Sequence, residues 1–125
     1  MNCRHCQTPL RHVFLDLGYA PPSNAYLSAD SRVIEVAAND GYLLRHFIQA
    51  GIPCLGIEPT AATAAAAEAQ GIPILRQFFG TALGQQLAVQ GQQADLLIGN
   101  NVYAHVPDIN DFTGGLKAAL KPGGT

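Results

Sequence analysis

Hydrophobic and polar positions fall in blocks along this chain, and the lengths of the blocks predict strands alternating with helices. Arg32 to Gly41 begins as a short β-branched run and ends as a turn of small residues, and Tyr42 to Ile48 then carries apolar residues at helical spacing. Gly51 to Glu58 reads as a turn and a second buried strand that ends on an acid. Thr60 stands as N-cap of an alanine-rich helix from Ala61 to Gln70. Gly71 to Leu75 supplies a helix stop and a short third strand. Phe78 to Gly80 forms a loop, Thr81 to Gln90 a helix closed by Gly91, and Ala94 to Gly99 a fourth strand ended by Asn100 and Asn101. Asp108 caps a last helix that runs towards Leu120.

Strands alternating with helices at this spacing predict an α/β fold, with a Rossmann-like parallel sheet, right-handed crossovers and the order 3-2-1-4 for the first four strands. The final Lys121 to Thr125 is a turn of the kind that delivers another strand. The sheet is therefore expected to be incomplete, with the fourth strand an unpaired edge through which a second copy could associate. Gly114 and Gly115 interrupt the last predicted helix, a weakness of ~1 kcal/mol per glycine relative to alanine. Ahead of the first strand, Val13 to Leu17 alternates like a strand and Pro21-Pro22 turns the chain, which reads as a small accessory lobe. The short polar junction Ser28 to Ser31 divides the chain into an N-terminal lobe, 1–30, and an α/β domain, 31–125.

The chain has 125 residues, 48% of them apolar, and a formal charge of −2, the balance of one ordinary globular domain. Gly, Pro or Asp breaks every apolar stretch well short of the ~20 residues a membrane helix needs, so no membrane partner is expected. The N-terminus lacks the apolar core of a secretory signal, which makes the cytoplasm the expected location. The slightly acidic balance, without a basic run, excludes nucleic acid as the main partner.

Cys3 and Cys6 form a Cys-x-x-Cys followed by Pro9, a knuckle that can give two thiolates to a tetrahedral zinc. A structural zinc wants four ligands. His5 lies between the two cysteines and is badly placed to join them on one metal, His12 is the other nearby histidine, and Cys54 falls in a predicted core strand. This is a half site, and no filled zinc site is expected from it.

The turn after the first strand carries more chemistry. In open α/β sheets the ligand sits beyond the carboxyl ends of the strands, where small residues let the backbone come close. Glu35 lies inside the first strand, where an unpaired carboxylate is costly; it calls for a cationic ligand or, alternatively, for loop amides that it would anchor. Glu58 ends the second strand roughly 20 residues after the loop, where a carboxylate reaches the two hydroxyls of a ribose; the alternative is a solvated strand-end acid. A dinucleotide fingerprint would need Gly-x-Gly-x-x-Gly, but the corresponding positions hold Ala37, Asn39 and only later Gly41. Asn39 tolerates a left-handed backbone. Asp40 adds negative charge, which disfavours a pyrophosphate and favours a cation. S-adenosylmethionine joins a ribose to a positive centre.

The segments Glu35 to Leu44, Gly56 to Pro59, Phe78 to Gly80 and Asn100 to Asp108 resemble the class I methyltransferases that C-methylate nucleotide-linked keto-deoxysugars. The N-terminal Cys-x-x-Cys and the run Pro22 to Tyr26 are similar to that family's zinc-binding lobe. The resemblance implies that Glu35, Ala37, Asn39 and Gly41 belong to the methionine-side loop of the cofactor site, with Glu58 as ribose contact and Phe78 and Phe79 as an adenine-side wall. Asn100 and Asn101 join the cofactor contacts, Tyr103 is a weaker candidate, and His105 faces a small-molecule substrate as catalytic base. The reaction implied is removal of the proton α to the sugar ketone and attack of the enolate carbon on the sulfonium methyl.

Departures from the family shape a further expectation. The family's second Cys-x-x-Cys, the segment between its Asn-Ala-Tyr motif and the glycine loop, and its large C-terminal portion have no counterpart here. That reads as a shortened member, expected to bind cofactor without turnover unless a second chain completes the sheet. Two alternatives remain open at this point: a non-catalytic remnant or partner-binding module, and a dinucleotide-dependent enzyme.

Overall fold

The computed structural model of the chain describes residues 27–28 and 30–125. The accessory strand, the Pro-Pro turn and the Cys3–Cys6 pair lie outside the described residues. Strand β1 (Val33–Val36) is followed by helix α1 (Leu44–Gln49), β2 (Cys54–Ile57), α2 (Ala61–Glu68), β3 (Ile74–Leu75), α3 (Thr81–Val89), β4 (Leu96–Ile98), a 3-10 turn (Tyr103–His105) and α4 (Ile109–Ala119). The strands form one parallel sheet in the order β3-β2-β1-β4, as the alternation predicts.

All four residues of β1 and all four of β2 are buried, which a continuous apolar run allows when helices cover both faces of a parallel sheet. Side chains alternate between the faces. Ile34, Val36, Leu55 and Ile57 pack with Leu83 and Leu87 of α3 and Phe112 of α4. Val33 and Cys54 pack on the other side with Leu44 of α1, Ala67 of α2 and Ile72. Glu35 shares that second face with Val33, directly opposite Gly56 on β2 and Ile98 on β4 in the register.

Three local expectations are corrected. Thr60 is the N-cap of α2, but its hydroxyl caps nothing; its own N–H is instead held by Glu58 at 2.8 Å. The outer edge of β4 is not left unpaired. The turn at Pro122-Gly123, with Gly123 at φ +80°, brings the last residues back alongside the strand. Leu97 then donates to the carbonyl of Thr125 at 2.8 Å and Thr125 to that of Asp95 at 2.9 Å, and Lys121 Nζ reaches Asp95 Oδ2 at 2.7 Å. The last residues of the chain thus cover part of the outer edge of β4. Gly115 is a packing requirement rather than a weakness, since a Cβ there would come 2.6 Å from the backbone of Gly80.

The last helix starts as expected. Asp108 accepts from the amides of Asn110 and Asp111, each at 2.9 Å. Asp111 in turn accepts from the amide of Thr81 at 3.0 Å, so the first turn of α4 caps α3, which has only Gly80 at its N-cap position.

Candidate functional site

The loop after β1 turns through three left-handed residues, Ala37 (φ +58°), Asn39 (φ +51°) and Gly41 (φ +78°). An asparagine side chain stabilises this conformation by local bonding, and Asn39 Nδ2 donates to the carbonyl of Ala37 at 2.9 Å. Ala37 has no such help and carries local strain of ~1–2 kcal/mol. Gly41 is needed for space as well as for its φ: a Cβ there would run into Ile72 and sit 3.1 Å from Ala67. It faces Ala67 of α2 and is not among the residues lining the cavity described below.

Both acids are buried, but they differ in their hydrogen-bond partners. Glu58, only 5% exposed, is not a solvated strand-end residue. Its Oε2 accepts from the amide of Asn39 at 3.1 Å and its Oε1 from the amide of Thr60 at 2.8 Å, so it ties the loop after β1 to the start of α2. Glu35 does not anchor its own loop. It is 1% exposed, and its Oε2 has no hydrogen-bond partner. Burial pushes its carboxyl from an ordinary 4.5 up to about 7, with the Asn100 side chain pulling the other way.

A cavity of about 340 Å³ opens at the carboxyl ends of β1 and β2, on the α3–α4 side of the sheet. Val36, Ala37, Ile57 and Pro59 form its floor and Phe78 and Phe79 one wall. Val102, His105 and Val106 face them, and Asp111 and Phe112 of α4 contribute the remaining side. Of the residues singled out in the sequence, Ala37, Phe78, Phe79 and His105 line this space. Glu58 stands between two lining residues, Ile57 and Pro59. Glu35, Asn39, Gly41, Asn100 and Asn101 are not part of the wall. Gln77, Val102, Val106, Asp111 and Phe112 were missed as wall residues; the amphipathic register of α4 marks Phe112 as inward-facing, but only the α3–α4 crossing brings it beneath the strand ends.

S-adenosylmethionine fits these groups on two observations. The wall is largely apolar and aromatic, which suits a base, and each oxygen of Glu58 accepts one amide and so retains a lone pair for a hydroxyl.

A parallel α/β sheet with an acid at the end of its second strand and an apolar cleft beside it defines a nucleoside-binding Rossmann-like domain. A family model described as "Methyltransferase domain" matches residues 34–125, and one described as "Putative zinc binding domain" matches residues 3–37. The chain belongs to the class I S-adenosylmethionine-dependent methyltransferase family. The C-methyltransferase NovU of Streptomyces niveus is 33% identical over 92 residues, which cover 74% of this chain and 22% of NovU. Two solved structures share the fold. A methyltransferase from Geobacter sulfurreducens in complex with S-adenosyl-L-homocysteine has a TM-score of 0.53 at 22% identity, over 75% of this chain and 39% of its own. One from Thiobacillus denitrificans, with the same ligand, has a TM-score of 0.55 at 21% identity, over 75% and 39%. The chain thus spans 22% of the length of the curated relative it matches.

Proposed function

We propose that the cavity beside Glu58 binds S-adenosylmethionine, and that the chain supplies the cofactor-binding part of a C-methyltransferase acting on a nucleotide-linked keto-deoxysugar. The observation that carries the reading is Glu58: a buried carboxylate at the end of β2, flanked by cavity-lining Ile57 and Pro59, with acceptor capacity left on both oxygens. That arrangement suits two vicinal hydroxyls and offers nothing to a pyrophosphate. The C-methyltransferase relative supports carbon as the methyl acceptor.

The cofactor, when bound, supplies an electrophilic methyl on a sulfonium. His105, which lines the cavity, would take the proton α to the ketone of the sugar and leave that carbon as the methyl acceptor. Phe78 and Phe79 give the base an apolar wall.

Calorimetry of the purified chain with S-adenosylmethionine and separately with NAD tests the cofactor. Saturable binding of S-adenosylmethionine without binding of NAD is the expected result. Preference for NAD would overturn it.

A further inference from the structure

His105 sits on a single 3-10 turn whose internal backbone bond is His105 N–H to the carbonyl of Val102, at 2.9 Å. So short a turn does not hold a side chain in place by itself. The segment is pinned at both ends against α4. On the far side of His105, Asp108 caps the helix and fixes Pro107 and Val106 with it. On the near side, the Tyr103 hydroxyl lies 2.7 Å from Thr113 Oγ1, and Thr113 Oγ1 lies 2.6 Å from the carbonyl of Ile109. A threonine hydroxyl has one proton. Thr113 gives it to Ile109, so Tyr103 must be the donor to Thr113.

The ring of Tyr103 also meets Phe112 edge-on, at 5.7 Å between centroids and 74° between planes, and Phe112 meets Phe79 in the same way at 5.3 Å and 75°. This row of three rings runs from the loop after β3, through α4, to the turn after β4. It ties together the two walls that His105 and Phe79 present to the cavity.

We propose that Tyr103 is a positioning residue for His105: its hydroxyl bond to Thr113 and its edge contact with Phe112 close residues 103–113 into a braced loop that holds the imidazole at the cavity. Tyr103 therefore has a role other than contacting cofactor or sugar. The proposal rests on the reading of the cavity as the ligand site, but its test does not.

The test is two-dimensional NMR of the histidine side chains in the full chain, with His105 assigned by its absence in His105→Gln. The parent should give one sharp His105 imidazole signal. Tyr103→Phe and Thr113→Val should each broaden or shift that signal, with the His46 signal unmoved, and Thr113→Ser, which keeps the hydroxyl, should restore the parent spectrum. A hydrogen bond of this kind corresponds to a roughly three- to ten-fold change in the ratio of held to released conformers. An unchanged His105 signal in both Tyr103→Phe and Thr113→Val would overturn the proposal. Addition of S-adenosylhomocysteine is read separately: a His105 signal that ignores the ligand while still responding to Tyr103→Phe counts against the cavity reading and leaves the brace standing.

Discussion

Asn39 and Glu58 are joined across the carboxyl ends of the first two strands, the backbone N–H of one donating to Oε2 of the other at 3.1 Å. The contact lets one carboxylate shape the loop after β1 and still offer lone pairs to a ligand. Glu58→Ala should weaken S-adenosylmethionine or S-adenosylhomocysteine binding by ~1.5–3 kcal/mol, the value of a charged hydrogen-bond acceptor, which is roughly ten- to hundred-fold in affinity. It should also lower thermal stability, because the amides of Asn39 and Thr60 lose their acceptor. Binding as tight as the parent's, measured by calorimetry, would show that the ribose contact lies elsewhere.

Glu35 gives the fold an unusual pH dependence. Its carboxyl is raised from 4.5 to about 7 by burial, so below pH 4.5 it is neutral in both folded and unfolded chains and makes no difference between them. As pH rises towards 7, the unfolded chain ionises and the folded one resists. Stability from this group is then lost progressively, by roughly 3 kcal/mol in all at ~1.36 kcal/mol per pH unit. Urea unfolding at pH 5 and pH 8 should show the parent less stable at the higher pH, with Glu35→Gln flattening the difference. A parent curve with no Glu35-dependent fall would contradict the buried, unpartnered assignment.

The crossing of α3 and α4 depends on two glycines that helix propensity alone would disfavour. A Cβ on Gly84 would lie 2.9 Å from Cα of Gly115, and one on Gly115 would lie 2.6 Å from the backbone of Gly80. Backbone cannot move aside as the end of a side chain can. Gly→Ala raises intrinsic helix stability by ~1 kcal/mol, yet Gly115→Ala should destabilise the chain by ~1–3 kcal/mol through overpacking. Thermal denaturation decides the sign, and a raised melting temperature would mean that the helices are free to separate.

The strand order was legible because it follows from block alternation and handedness, which do not depend on which residues touch. Asp108 was legible as a cap for the same reason: capping is local. Thr60 misled because its position was right while a stronger acceptor, Glu58, stood two residues away and took the amide. The pairing of Thr125 with β4 and the Gly84–Gly115 contact are long-range matters that no local pattern encodes. Of the residues lining the cavity, Ala37 could be singled out from its position after a strand, whereas Phe78, Phe79 and His105 were singled out through the family resemblance. The α4 contribution of Asp111 and Phe112 could not, since it requires the helix crossing to be known.

Cys3 and Cys6 supply two thiolates where a structural zinc takes four ligands. Elemental analysis across a gel-filtration peak should therefore find less than one zinc per chain. A full equivalent in a monomeric peak would show that two further ligands, such as His5 and His12, complete the site.

Turnover by this chain is the hardest demand on the geometry. The cavity of about 340 Å³ is at the small end of ligand pockets. Phe78, at 86% exposure, leaves one wall open to solvent, and His105 is itself exposed. An enolate formed there would be held in water rather than by preorganised donors, and that electrostatic contribution is usually the largest in catalysis. The expected result is cofactor binding without measurable methyl transfer when the isolated chain is given labelled S-adenosylmethionine and a nucleotide-linked keto-sugar. Turnover in the parent that disappears in His105→Ala would refute this expectation, and it would establish that the base acts without a closed substrate cleft.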